Sequence, residues 1–238
     1  MAPAKKTSSD SPTLFNTVVH TPALTPEVVG IPEHRPLLMV MDGHAMLYRA
    51  FFALQSARPM TLRDTGEDVR GVYSFTTTFF KIINELKPTH VAITFDPPGP
   101  TFRHEQFEEY KANRPHMPDE LAQNIVRAKQ MMQAFDVPIY EVPGYEADDV
   151  LGTIATYADT NEIDTVITTG DTDTLQLVSD NVRVLLTTGF GDNKLYDPAM
   201  VAERYSGLEP DQVRDVKALT GDSSDNIPGV PGVGIKTA

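Results

Sequence analysis

The chain has no cysteine among its 238 residues, so it has neither a disulfide framework nor a thiolate zinc site. No apolar run approaches the ~20 residues of a membrane span, and the N-terminus lacks a signal-peptide core. These absences predict a soluble cytoplasmic protein with no membrane partner. Positive charge is also scarce: 20 Lys and Arg face 33 Asp and Glu, a formal net charge of −13. Taken alone, that balance argues against a polyanionic partner such as DNA. What the chain does have is 40% hydrophobic residues, enough for a core in one good-sized domain and a small second one.

The acids are grouped. Between Gly144 and Tyr157, Val150, Leu151, Ile154 and Tyr157 recur at helical spacing, which puts Glu146, Asp148 and Asp149 in the first turn of a helix anchored by one apolar face. A solvated turn that complements the helix dipole is the plain alternative. Other acids bear on that choice. Asp42, Asp96 and Asp171 each follow a short apolar run that reads as a buried strand, with Asp173 two residues further on. In parallel α/β sheets ligands bind beyond the carboxyl ends of the strands, so acids from separate strands can meet in one crevice. Asp222 and Asp225 form a last pair. Convergent carboxylates repel unless cations lie between them, and hard oxygen ligands suit Mg²⁺ or Mn²⁺.

These nine acids supply much of the excess negative charge. The basic residues are uneven too: Arg58, Arg63, Arg70, Lys81, Lys87, Arg103, Lys111, Arg114, Arg127 and Lys129 make up half of the 20. An acidic metal pocket beside a basic middle segment is compatible with nucleic acid after all.

Residues 1–35 hold prolines at 3, 12, 22, 26 and 32 and no sustained periodicity, which predicts a disordered tail. From 36 to about 205, strands at about 37–42, 89–95, 137–142, 163–169 and 182–187 alternate with helical segments. The alternation predicts an α/β fold, a mostly parallel central sheet with helices on both faces. One connection is too long for such a unit: after Asp96, a segment rich in charge and aromatics runs from about 97 to 118. Over 206–238, helical segments flank Gly229-Val230-Pro231-Gly232-Val233-Gly234, followed by Lys236. This predicts a helix-hairpin-helix whose backbone N–H groups suit phosphate, its second helix just begun at Ala238; an ordinary turn is the alternative.

Asp42-Gly43 before Tyr48-Arg49-Ala50, Phe95-Asp96, Thr101-Phe102-Arg103, Tyr110-Lys111-Ala112-Asn113-Arg114-Pro115, Glu146-Ala147-Asp148-Asp149, Thr169-Gly170-Asp171-Thr172-Asp173 and the run from Gly221 through Gly234 closely resemble the 5′-nuclease domain of bacterial DNA polymerases I, in the flap endonuclease family. The match runs in order from about Leu37 to Ala238.

The resemblance implies a structure-specific 5′-3′ exonuclease and 5′-flap endonuclease of DNA replication and repair. It would act by a two-metal mechanism as a monomer at the nucleoid, either alone or joined to a polymerase domain. Asp42, Asp96, Glu146, Asp148, Asp149, Asp171, Asp173, Asp222 and Asp225 would surround two Mg²⁺ ions, with Mn²⁺ as a substitute. Two such ions can activate a water and stabilise an in-line transition state. The segment after Asp96 would form a helical arch, with Arg103, Lys111 and Arg114 as its catalytic cations and Tyr110 beside the strand. Lys111 and Arg114 would hold the scissile phosphate. Arg49 would contact phosphate, while Tyr48 and Phe51 stand either in the core or on a base-stacking surface. Gly229, Val230, Gly232, Gly234 and Lys236 would meet duplex backbone. Thr172 departs from the family, which commonly has Lys or Arg there; the first 35 residues have no counterpart, and the family's domain continues beyond Ala238. The other reading is a truncated, non-catalytic DNA-junction binding protein.

Overall fold

At the centre of the computed structural model, which describes residues 24–25, 30–32, 35–187 and 193–238, Leu37–Asp42 forms strand β1. Its run LLMVMD is apolar almost throughout because both faces of the strand are covered. β2 (His90–Thr94) and β3 (Ile139–Tyr140) extend the sheet on one side, and β4 (Asp164–Thr169) and β5 (Val182–Thr187) on the other, all parallel. β6 (Asn193–Tyr196) closes the β5 edge antiparallel, giving the order β3-β2-β1-β4-β5-β6. The expected mostly parallel α/β sheet is therefore present. β6 carries no sequence signal, since NKLY is short and half polar. β3 is shorter than the expected 137–142 because Pro138 and Pro143, which donate no ladder hydrogen bond, bracket it.

In chain order the described helices are α1 (Gly43–Ala53), α2 (Arg70–Leu86), α3 (Phe102–Gln106), α4 (Asp119–Ala134), α5 (Ala147–Thr160), α6 (Pro198–Arg204) and α7 (Val213–Thr220). α1, α2 and α4 bury Leu47, Phe75, Phe79, Ile82, Leu121 and Met132 against Met39 and Met41. α5 and the elements after β4 bury Leu151, Ala155, Leu175 and Val201 with Val40, Ile167 and Val184. Met39 and Met41 face one layer and Val40 the other, as strand alternation requires. None of the described helices is long and apolar enough to cross a membrane.

Two local devices hold the helices under the site. The N-cap residue of α2, Val69, offers no side-chain cap, but Asp68 accepts from Arg70 N at 3.1 Å, and buried Asn124 on α4 accepts from Val72 N at 3.0 Å and donates to Asp68 O and Glu120 O at 2.8 Å. A Cβ at Gly71 would stand 2.7 Å from the Asn124 amide oxygen, so the residue there must be small. At the start of α1, a Cβ on Gly43 would meet the Phe95 ring at 2.5 Å.

Most of the expected disordered tail, residues 1–23, 26–29 and 33–34, lies outside the described residues. Within it, however, Leu24 and Ile31 are buried in the α1-side core, and Arg35 pairs with buried Asp164 at 2.9 Å. Isolated apolar residues between prolines show no periodicity, which is why sequence pattern places them in a tail. After α7, Gly221–Asp222 (β7) pairs antiparallel with Ile227–Pro228 (β8).

Candidate active site

Parallel strands deliver acids to one edge. Asp42 ends β1, Asp96 lies two residues past β2, and Asp171 two past β4, while the N-terminus of α5 brings Glu146, Asp148 and Asp149 beside them. Asp42, Asp96, Glu146, Asp148 and Asp171, with Asp173 and Asp225, line a cleft of about 820 Å³ whose other walls include Tyr48, Arg49, Lys111 and Arg114. A second cleft of about 960 Å³ shares Glu146, Asp148, Asp173 and Asp225 with the first and adds Asp149, Lys217 and Asp222.

Four of the acids have no Lys or Arg within ion-pair distance among the described residues. Asp42, 3% exposed, caps α1 by accepting from Ala45 N at 2.9 Å, and its other oxygen accepts from Thr169 Oγ1 at 2.9 Å. Burial, aided by repulsion from Asp96 and Asp171, raises its pKa to about 6 against those hydrogen bonds. Asp96 accepts from Ala147 N at 2.7 Å, the first amide of α5, and lies 3.5 Å from His44 Nδ1. Desolvation keeps His44 below its ordinary pKa, so the ring tends to neutrality. Asp148 is enclosed by protein mass and by Asp42, Asp171 and Asp96, which push its carboxyl well above the usual range. Its surface is nonetheless open to the cleft, so solvent moderates the burial contribution and the mutual repulsion is the firmer cause. Asp171 caps the 3-10 turn Thr172–Leu177 by accepting from Asp173 N at 2.8 Å.

The other five are paired with cations. Arg103 holds Asp149 through two hydrogen bonds of 2.7 Å and lies 3.6 Å from Glu146. Burial opposes the charge of Asp149, but Arg103 outweighs it and brings the carboxyl below its usual range. Lys111 Nζ is 2.8 Å from Glu146 Oε1, and Arg114 pairs with Asp225. Lys217 Nζ bridges Asp173 at 2.6 Å and Asp222 at 2.7 Å. Asp222, against a burial penalty, is brought to about 2 by Lys217 and by two donations from Ser224. Asp173 stays above its usual range through burial and the nearness of Asp171, despite the lysine. The short contacts to both acids make the charged lysine the firm conclusion, and its own pKa is raised accordingly.

The segment after Asp96 departs from a helical arch. It is helical over Phe102–Gln106 alone and then turns, with Lys111 at φ 56° and with Pro115 and Pro118 breaking the chain before α4. It lies down on the carboxylates. Tyr110, expected beside a DNA strand, is 5% exposed and places its hydroxyl 3.0 Å from Glu146 Oε2 and 3.1 Å from Asp225 Oδ2, out of reach of a base in this conformation. Arg103 is likewise a clamp on Asp149 rather than a free cation.

Tyr48 is 43% exposed at the cleft, its ring 4.5 Å from Phe52, whereas Phe51 packs against the core. Arg49 reaches across to donate to the Gly170 carbonyl, and a Cβ on Gly170 would overlap the arginine. In the hairpin, Val230 N donates to Leu219 O at 2.8 Å and Gly234 N to Thr237 Oγ1 at 3.0 Å, so those two amides are already engaged. Gly229 serves close packing: a Cβ there would strike the Thr220 backbone. Gly232, at φ 84°, and Lys236 are exposed.

Sequence reasoning does not single out Thr169 or Lys217. The Thr169 hydroxyl donates to Asp42 and accepts from Asp171 N at 3.0 Å, joining two acids from neighbouring strands. A threonine at the end of a strand is too common to stand out. Lys217 is one cation on a surface helix, and nothing in its local pattern marks it. Among the described residues no three acidic or histidine side chains gather around one point as a finished metal cage.

The sheet order and the acids at its strand ends define a resolvase-like α/β fold with a small appended unit. The chain belongs to the 5′-3′ exonuclease family: residues 37–206 match its N-terminal resolvase-like domain and residues 208–238 its C-terminal SAM fold. It is 48% identical over 206 residues to DNA polymerase I of Chloroflexus aurantiacus, covering 85% of this chain and 22% of that protein. Against DNA polymerase I of Bacillus subtilis the identity is 42% over 205 residues, covering 86% and 23%. The chain thus spans about a fifth of the length of these curated relatives. Among solved structures it is similar to T5 5′-exonuclease with zinc ions bound, at TM-score 0.70 and 23% identity over 84% of this chain and 72% of that one. The catalytic core of Rad2 in complex with DNA substrate gives TM-score 0.52 and 16% identity over 84% and 57%. At these identities the structural likeness concerns the fold.

Proposed function

We propose that the chain hydrolyses DNA phosphodiester bonds at 5′ ends and 5′ flaps, as a 5′-3′ exonuclease and flap endonuclease dependent on Mg²⁺, with Mn²⁺ as a substitute. The observation that carries this is the convergence of Asp42, Asp96, Asp148 and Asp171 without a Lys or Arg partner among the described residues, in a cleft whose rim holds Lys111 and Arg114. A donor set made of carboxylate oxygens fits a hard divalent cation, and the carboxyls of Asp42 and Asp148, raised by burial and then by the acids around them, carry a mutual repulsion that such a cation would offset. The acids line an open cleft, so they would have to draw together to hold one.

Bound divalent ions would supply Lewis-acid stabilisation and an activated water. The protein's part is to place the strand. Lys111 and Arg114, once turned from Glu146 and Asp225, reach the phosphate and offset charge that grows in the transition state. Tyr48 offers an exposed ring on which a terminal base can stack. Gly232 and Lys236, both exposed, would meet the duplex backbone. Thr169 and the N-terminal amide of α5 keep the acids oriented while this happens.

The test is cleavage of a 5′-flap oligonucleotide, as DNA and as matched RNA, with Mg²⁺ and with chelator. Release of the DNA flap that needs Mg²⁺ is expected. Junction binding without cleavage at any Mg²⁺ concentration would instead make the chain a non-catalytic junction binder, and equal cleavage of the RNA flap would remove the DNA assignment.

A further inference from the structure

The family's N-terminal domain matches from residue 37, so the chain ahead of β1 lies outside that match. Among the described residues there, Leu24 and Ile31 are buried in the core cluster that also holds Leu37, Met39 and Leu86. Arg35, two residues before β1, reaches three elements at the foot of the sheet. Its guanidinium lies 2.9 Å from Asp164, the first residue of β4, and donates to Glu162 O at 2.6 Å and to Asn181 Oδ1 at 3.0 Å. Asn181, just before β5, donates in turn to Asp159 on α5 at 2.8 Å and accepts from Thr165 N at 2.8 Å. Asp164 is 1% exposed, and its other oxygen faces Arg183 of β5 at 3.3 Å. Arg183 also donates to Gly30 O at 3.4 Å, so both arginines tie the chain before β1 to the same acid. Breaking either pair leaves charge buried with less compensation, which is the costly case for an enclosed ion pair.

We propose that the chain carries an N-terminal anchor, seated by Leu24 and Ile31 and locked by Arg35, which closes the foot of the sheet and belongs to the folding unit although it precedes the family's domain. Seat and lock depend on each other. The planar guanidinium meets a carboxylate and two further acceptors in one geometry, which fixes the direction of the chain as it leaves Ile31 and enters β1. Leu37 pairs with Asp164 across the β1–β4 ladder, so the lock also sits where the register of the two central strands begins. Without Arg35, Leu24 and Ile31 are held by apolar contact alone, and the starts of β4 and β5 and the end of α5 lose the group that joins them. Asp42 and Asp171 stand at the opposite ends of β1 and β4, about 20 Å away. The anchor therefore governs how firmly the foot of the sheet holds together and leaves the chemistry of the cleft alone. Neither the seat nor the lock depends on the nuclease reading.

Arg35→Met, a Leu24→Ser/Ile31→Ser double variant and the triple variant, all in the full chain, test this by thermal melting in chelator and by amide hydrogen exchange. Arg35→Met is expected to lower the melting temperature by about 10 °C, the scale for breaking a buried ion pair in a chain of this size. Exchange should speed up at least about tenfold over 159–166 and 179–185, at the foot, and stay unchanged over 42–49 and 167–173, at the cleft end. The serine pair is expected to lower the melting temperature by about 5 °C or more. Because Arg35→Met already frees the seat, the triple variant should melt close to Arg35→Met alone. A serine pair that melts like the parent overturns the anchor, and this result stands even if Arg35→Met fails to fold. Full additivity in the triple variant overturns the lock. Faster exchange at the cleft end, or a lower kcat on a DNA flap well below the melting temperatures, overturns the separation of foot from cleft. If the parent itself does not cleave, the nuclease reading falls, while melting and exchange still decide the anchor.

Discussion

The nine carboxylates around the two clefts divide by partner rather than by residue type. Glu146, Asp149, Asp173, Asp222 and Asp225 each meet a lysine or arginine, so their charge is offset within the protein. Asp42, Asp96, Asp148 and Asp171 have no such partner among the described residues; backbone amides, one threonine hydroxyl and one histidine are what they meet. The extremes of protonation fall one in each group: against a burial penalty, Lys217 and Ser224 bring Asp222 to about 2, while burial, aided by Asp96 and Asp171, pushes Asp42 up to about 6; paired Asp173 is nonetheless also held above its usual range by burial. An acid cluster is thus two devices in one place, a paired half that holds the cover and the appended unit in position and an open half whose repulsion remains to be offset.

The contrast predicts opposite responses to the same kind of substitution. Asp148→Asn or Asp171→Asn should lower flap cleavage by more than about a hundredfold, the upper end of what residues supporting a metal ligand cost. In chelator their melting temperatures should be unchanged or higher, because one repelling charge has gone. Glu146→Gln should behave differently, losing about 1–3 kcal/mol of stability because Lys111 is left without its carboxylate. Melting curves in chelator and flap assays in Mg²⁺ measure both, and equal stability effects would erase the distinction.

Proton linkage gives the next largest effect. The folded pKa of Asp42, about 6, lies above its unfolded 3.8, so the folded chain binds the extra proton and stability falls as pH rises from about 4 to 6. Above that window the loss is complete, on the order of 3 kcal/mol. Metal-free melting temperature should therefore rise as pH falls from 7 toward 5, and Asp42→Asn should flatten the rise. Asp222 works in the opposite sense: its depressed pKa contributes stability that is present above about 4 and lost as pH falls toward 2.

Thr169→Val tests the bridge between two open acids. It removes the donor to Asp42 and the acceptor of Asp171 N, so a loss of about 1–3 kcal/mol and a cleavage rate down about tenfold are expected. Thr169→Ser, which keeps the hydroxyl, should recover most of the rate. The smallest effect concerns Arg103. Arg103→Lys keeps the charge near Asp149 but gives up the paired hydrogen bonds, and should lower the rate a few-fold without restoring it to the parent level. A flap-cleavage time course at saturating Mg²⁺ would show it.

Much of this arrangement is legible in the amino-acid sequence, for a definable reason. The run LLMVMD is apolar along most of its length, and DTVITT sets Val166 and Ile167 among β-branched threonines, as parallel strands covered on both faces allow, and an acid at or just beyond the end of such a run falls on the ligand-binding edge. The partners of those acids are not legible, since pairing depends on contacts across long stretches of chain. Lys111 meets Glu146, Arg114 meets Asp225, and Lys217 meets Asp173 through the third dimension alone. The same holds for Tyr110, whose aromatic ring among cations suggests stacking until burial and the two carboxylates near its hydroxyl are seen. Leu24 and Ile31 show the reverse error: scattered apolar residues in a proline-rich stretch carry no period, yet find places in the core.

The central claim is that the four acids with no cation partner among the described residues in this conformation answer to the divalent cation. Thermal melting of the chain and of an Asp42→Asn/Asp171→Asn double variant, each with chelator and with saturating Mg²⁺ at neutral pH, tests it most directly. The account predicts that Mg²⁺ raises the melting temperature of the parent, and that the double variant is at least as stable as the parent in chelator and barely responds to Mg²⁺. A double variant that is less stable in chelator and still gains the full Mg²⁺ increment would contradict it.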